Sequence, residues 1–154
     1  MSILNAKNYL KKYNLENKII EFDVSSATVE EASHALNCNP EKIAKTLAFF
    51  IDEKPILIVM SGSSKIDNAK YKSYFKTKAK MIPACLVEEN IGHAIGGVCP
   101  FGINENVTVY LDNSLKKFNT VFPACGSSNS AIELTIEELE KTSHYKEWID
   151  VSKK

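Results

Sequence analysis

No long hydrophobic run occurs in this chain of 154 residues. The longest apolar stretches, 47–51 and 56–60, fall far short of the roughly 20 residues that cross a bilayer. The N-terminal segment carries Lys7, Lys11 and Lys12 in an amphipathic pattern and has no apolar h-region. It does not read as a signal peptide, and a cytoplasmic location is the default expectation. A net charge is also missing: 19 basic residues balance 19 acidic ones, and the sequence pI is about 6.8. No overall basic field attracts nucleic acid, so any RNA contact must come from a local patch. Neither DNA nor a membrane is expected as a partner. Cysteine is sparse. Cys38, Cys85, Cys99 and Cys125 include no C-x-x-C pair, which argues against a zinc site or a thioredoxin-like motif. They are expected to be reduced thiols, with no metal and no cofactor. Internal repeats, low-complexity tracts and Pro/Gly/Ser-rich linkers are absent, so one domain is expected over residues 1–154.

What is present is an ordinary globular composition, 44% apolar and 25% charged, in a chain long enough to bury roughly 70% of its unfolded surface. Residues 3–13 place Ile3, Ala6, Leu10 and Tyr13 on one helical stripe. Thr28 with Glu31 three residues on forms a capping box before a second helix, whose apolar face is Val29, Ala32 and Leu36. Asn39-Pro40 starts a short third helix, running to about Lys45. Residues 46–51 and 56–61 read as strands joined by a turn at Asp52-Glu53-Lys54-Pro55. Both are almost continuously apolar, which predicts cover on both faces. A helix is expected over 67–76, a short strand at 80–82 and a helical turn at 86–90. Strands follow at 107–111, 120–124 and 131–134. The last helix, 135–141, is capped by Thr135 with Glu138. This mixture predicts an α/β or α+β domain with one curved, mixed, largely antiparallel sheet and surrounding helices.

Four features carry possible chemistry. Lys45 stands against apolar sequence at the entry to a strand. Spacing alone fits a snorkelling lysine with its ammonium in water; the functional reading is a fixed cation at a pocket rim, suited to a phosphate or a developing oxyanion. Gly96-Gly97-Val98-Cys99-Pro100-Phe101-Gly102 concentrates glycine and proline. It reads either as a tight turn or as a loop whose N–H groups approach a ligand carbonyl. It matches neither G-x-G-x-x-G nor a P-loop. Gly126-Ser127-Ser128-Asn129-Ser130 is either a polar turn or a set of donors for a ribose or phosphate, and it is not a nucleophile elbow. Residues 65–80 hold Lys65, Lys70, Lys72, Lys76, Lys78 and Lys80 against one acid, Asp67. This is either a solvated face or a patch for an RNA backbone. Cys99 with His34, His93 or His144 is a weaker Cys–His option, since small buried thiols are common.

Three segments, taken in order, resemble a known family. They are Ile43-Ala44-Lys45-Thr46-Leu47-Ala48-Phe49, then Gly96 to Gly102, then Phe122-Pro123-Ala124-Cys125-Gly126 leading into Ile132-Glu133-Leu134. Their order and spacing resemble the YbaK/ProX aminoacyl-tRNA deacylases, which are similar to the editing domain inserted in bacterial prolyl-tRNA synthetase. The resemblance runs from about residue 20 to 141. It implies a single α/β domain and a hydrolase that deacylates mischarged aminoacyl-tRNA. The substrate would be tRNA(Pro) or a related tRNA carrying a small amino acid such as Ala, Cys, Ser or Thr. A synthetase such as prolyl-tRNA synthetase is a possible partner. The family's lysine falls on Lys45, followed by Thr46, and its G-x-x-x-P loop on Gly96 and Pro100. Gly97, Val98, Cys99, Gly126, Ser127 and Ser128 are the implied substrate-binding positions. Lys65, Lys70, Lys72 and Lys76 form the expected tRNA-binding patch. Ala124-Cys125 before Gly126, and Ser127-Ser128 after it, depart from some relatives, as does His93 where many carry an aromatic residue. Two competing readings are a non-catalytic tRNA- or synthetase-binding module of the same fold and a thiol hydrolase using Cys99.

Overall fold

A computed structural model describes residues 2–153. In chain order the elements are α1 (Ser2–Lys11), β1 (Ile19–Glu21), α2 (Val29–Leu36), β2 (Ile43–Ile51), β3 (Lys54–Ser61), α3 (Asn68–Phe75) and α4 (Ala84–Ile91). Then come β4 (Thr108–Asp112), β5 (Thr120–Pro123), β6 (Ser130–Ile132), β7 (Leu134–Thr135), α5 (Ile136–Ser143) and β8 (Glu147–Ile149). Six strands form one mixed sheet in the order β7-β5-β2-β3-β4-β8, while β1 and β6 form a separate antiparallel pair. In the larger sheet β2/β3 and β5/β7 are antiparallel. The β2/β5, β3/β4 and β4/β8 junctions are parallel, so parallel pairing has a larger share than the sequence implies. The cause is that the long connections through α3, α4 and α5 bring the chain back in the same direction, as a two-residue hairpin cannot.

The β2–β3 hairpin is the centre. Asp52 and Glu53, with φ of 50° and 66°, make a two-residue turn, and Ile51 pairs with Lys54. Two left-handed residues match the twist of the flanking strands. Pro55 lies within β3 rather than in the turn. It pairs with Phe50, whose N–H points away from β3 to the carbonyl of Lys80 (2.9 Å). The missing proline N–H is thus not needed by β2, and β4 begins pairing only at Ile56.

Both faces of the hairpin are buried, as its continuous apolarity predicts. Ala44, Ala48, Leu57, Val59, Val109 and Leu111 face a core completed by Ala6 and Leu10 of α1, Val87 and Ile91 of α4, and Leu139 of α5. Phe49, Ile58, Met60 and Tyr110 face the other way, toward Tyr71 and Phe75 of α3. Tyr71 stacks 5.2 Å from Phe49 and 4.6 Å from Phe75, between ring centroids. Both expected capping boxes form, Thr28 with Glu31 and Thr135 with Glu138.

Two boundaries differ from expectation. Asn39-Pro40 starts only a single 3-10 turn, Pro40–Lys42, because β2 already begins at Ile43. Lys45 therefore lies inside the strand. Residues 80–82 make only local edge bonds, with Ile82 N–H on Ala48 O and an isolated bridge between Phe49 and Met81.

Candidate active site

The site opens where two strands part. β5 pairs with β2 only at Ile43 and Ala44, opposite Phe122 and Pro123. Beyond Pro123 the chain leaves β2, and Ala124 bridges to Ala131. A cavity of about 300 Å³ fills the gap. Its walls come from Ser26 to Val29 and Ala32, from Ile43 to Leu47, from Ile95, Gly96 and Val98, and from Phe122, Ala124, Ser130 and Ala131. The lining is mostly apolar, and the volume suits a small ligand.

Strand register decides which groups reach it. Ile43 O accepts from Gly62 N–H on the β3 side, whereas Ala48 O and Phe50 N–H bond on the opposite side. Main-chain groups alternate along a strand, so the N–H and C=O of Thr46 point away from β3, toward the cavity edge. The Thr46 Oγ1 is enclosed and finds no hydrogen-bond partner among the described residues.

Lys45 is half-buried on the face shared with Met60, its register partner. Its Nζ donates to the carbonyl oxygen of Gly62 (3.2 Å) and to that of Ser64. An ammonium has three protons, so two fix the side chain and one remains for a ligand. Burial pulls the Lys45 pKa below its ordinary value, and the positive charge of Lys65 pulls in the same direction. A cation held this way, short of solvent and beside another cation, gains from an arriving anion.

The glycine-rich loop splits between cavity and core. Gly96 has φ +92° and Gly97 packs so tightly that a Cβ there would lie 2.5 Å from Ser127 N. The chain then turns inward: Cys99, Pro100 and Phe101 are buried, and Cys99 and Phe101 join the main core. Of the loop's expected site residues, Gly96 and Val98 line the cavity. Gly97 donates its N–H to Ala94 O (3.1 Å) and accepts from Gly126 N–H (3.0 Å), so it holds two loops together. The N–H groups of Gly96 and Val98 make no hydrogen bond among the described residues. Pro100 instead lines a separate pocket with Tyr9, Ile103 and His144.

Gly126, Ser127 and Ser128 stand behind the cavity wall. Ser127 Oγ lies 2.7 Å from Ser130 Oγ and 2.9 Å from Asn129 Oδ1. Ser128 O accepts from Ser26 N–H (2.6 Å), tying the 26–29 wall to this turn. That wall and Phe122 are cavity residues to which the sequence assigns no site role. The Thr28 capping box and the Phe122-Pro123 segment were the available signals. What they lacked was the strand divergence that brings them together.

Cys99 and His93 cannot act as a nucleophile–base pair. Both are fully buried. His93 Nε2 sits 2.5 Å from Phe101 O, which can only accept, so this nitrogen carries the proton. It therefore cannot take one from Cys99 Sγ, 3.5 Å away. Burial pushes the Cys99 thiol up to about 12 and pulls His93 down, keeping both neutral.

The lysine-rich segment also divides. Lys70 Nζ is bound by Asp150 (3.1 Å) and by Ser152 O (2.8 Å). Lys65, Lys72 and Lys76 are exposed. No helix among the described residues is long and apolar enough to cross a membrane.

The uncharacterized protein YwhH of Bacillus subtilis is 50% identical over 154 residues, covering 99% of this chain and 98% of its own. The proline–tRNA ligase of Aquifex aeolicus is 33% identical over 90 residues, 57% of this chain but only 16% of the ligase. A solved structure named as a candidate trans-editing enzyme for prolyl tRNA synthetase superposes with a TM-score of 0.88 at 26% identity. It covers 99% of this chain and 98% of its own. The family model described as the aminoacyl-tRNA editing domain matches residues 23–142, a span that contains every wall of the cavity, and the chain belongs to that family.

Proposed function

We propose that this chain is an aminoacyl-tRNA deacylase that acts in trans on tRNA carrying a wrong, small amino acid. The observation that carries the reading is Lys45: an ammonium fixed by Gly62 and Ser64, with one proton free, at the edge of an apolar cavity of about 300 Å³. Membership of the editing-domain family supports an ester-linked aminoacyl-tRNA as the substrate. The similarity to proline–tRNA ligases supports tRNA(Pro), and a synthetase of that type as a possible partner.

An aminoacyl ester already reacts with water, so the protein must mainly position it and stabilise charge. In this reading Lys45 binds the phosphate or ribose of the 3′-terminal nucleotide. Water adds to the ester carbonyl, and the N–H groups of Gly96, Val98 and Thr46 are the donors available to the tetrahedral oxyanion. The ribose oxygen then leaves with a proton, giving free amino acid and tRNA with its hydroxyl restored. The neighbouring ribose hydroxyl or the substrate amine receives the proton from water. No protein nucleophile is required.

Val29, Ala32, Ile43 and Leu47 wall the cavity, so large side chains are excluded. Apolar walls separate substrates by only about 1–3 kcal/mol per methylene. Overlapping activity on Ala, Cys, Ser and Thr esters follows. The direct test is Lys45→Ala assayed on tRNA(Pro) charged with each of these four. Loss of deacylation supports the role, and an undiminished rate sinks it.

A further inference from the structure

Phe122 is the one aromatic ring in the cavity wall, and no core use accounts for it among the described residues. It is half-buried and lies outside both core clusters and every aromatic pair. Its neighbour Val121 points into the main core, so Phe122 points to the opposite face of the sheet. Its register partner Ile43 shares that face, and so does Lys45 two residues further along β2. Over the ring stands Lys42 Nζ, 5.6 Å from the centroid, and Lys42 has no ion-pair partner among the described residues. One sheet face thus presents a half-buried aromatic ring that lines the cavity and carries a cation over it. The second cation, Lys45, follows about 7 Å along the strand.

This pattern matches one nucleotide: a flat π-system joined through a sugar to an anion. From it we propose that Phe122, with Lys42 over its ring, is the stacking platform for the terminal nucleobase of the tRNA, while Lys45 takes that nucleotide's phosphate or ribose. The assignment rests on the deacylase reading above. Stacking on an aromatic ring tolerates any base, so Phe122 supplies affinity and registers the ester over the Gly96 and Val98 donors. Lys42 strengthens the platform, since a cation polarises the ring and attracts the adjoining phosphates. The amino acid then occupies the part of the cavity walled by Val29 and Ala32, separate from the base.

The test uses the full chain and an RNA minihelix with 2-aminopurine at its 3′ end, whose fluorescence falls on stacking. Wild type and Phe122→Tyr should quench it, and Phe122→Leu, which keeps apolar bulk, should not. With alanine-charged minihelix, Phe122→Leu should raise KM about tenfold to a hundredfold while kcat changes little, the range set by base–aromatic stacking. Phe122→Tyr should restore KM. Equal quenching by Phe122→Leu overturns the proposal, and so does an unchanged KM. It is also overturned if Phe122→Leu reorders the preference among alanine, serine and cysteine esters while an abasic 3′ end costs nothing, because the ring would then touch the amino acid. Quenching by a wild-type chain that hydrolyses none of these esters would leave the platform standing and remove the deacylase reading.

Discussion

The Nζ of Lys45 lies 3.2 Å from the carbonyl oxygen of Gly62, the residue that follows the strand paired with its own. The hairpin that buries the stem of Lys45 therefore also supplies the acceptor that aims its head. This explains how a lysine on an apolar strand is both half-buried and available to a ligand.

That position has a measurable pH signature. Burial and Lys65 hold the Lys45 pKa below the ordinary 10.5. Because the folded value is the lower one, the folded chain carries a cost at neutral pH that is relieved as pH rises through the folded pKa. An NMR titration of the lysine side chains should show a midpoint below 10.5 that is absent in Lys45→Ala. Binding of an uncharged RNA minihelix should raise that midpoint, since a phosphate favours the charged form.

Cys99 should be dispensable for chemistry. Cys99→Ala should keep deacylation while costing roughly 1–2 kcal/mol of stability from the lost sulfur contacts. In the native chain, alkylation followed by mass spectrometry should label exposed Cys85 and spare buried Cys99 and Cys125. A loss of turnover in a folded Cys99→Ala chain would return the thiol-hydrolase reading.

Gly97 holds two loops at van der Waals limit. Gly97→Ala sets a Cβ against Ser127 N at 2.5 Å and Gly126 C at 2.6 Å, both of them backbone. Overpacking of this kind costs about 1–3 kcal/mol. Urea denaturation should show the loss, and KM should rise because the displaced loop carries Gly96 and Val98.

The lysine-rich segment should not behave as one patch. Lys70 is engaged by Asp150 and Ser152, whereas Lys72 on α3 and Lys76 just after it are exposed. If Lys72 and Lys76 meet tRNA phosphates, their double alanine variant should flatten the slope of log affinity against log salt by about 1 to 2. Lys70→Ala should leave that slope unchanged and lower stability by less than about 1 kcal/mol, as for an exposed ion pair.

Local rules made much of the architecture legible. The capping boxes at Thr28 and Thr135 need only a hydroxyl and a glutamate three residues on, so they survive into the structure unchanged. The almost continuous apolarity of 46–51 and 56–61 calls for cover on both faces, and both faces are covered. Strands β1 and β8 are not legible in the sequence, because three residues carry no periodicity and form a strand only where a partner waits. The turn was legible at 52–55, but its narrowing to Asp52-Glu53 depended on which side of β3 Pro55 could leave without an N–H.

The sequence by itself determined the central hairpin, the presence of a lysine at its entry and the glycine-rich loop, because each follows from side-chain type and near-neighbour spacing. That Lys45 lies inside the strand was settled by pairing with β3. Only the tertiary structure decided which of them meet. Gly96 and Val98 reach the cavity while Cys99 and Pro100 turn inward, because close packing of Gly97 on Gly126 and Ser127 reverses the loop at that point. Phe122 joins Lys45 on one face because a parallel register sets it beside Ile43. Strand register and loop packing are long-range choices, made by the burial of the whole core, and no local pattern contains them.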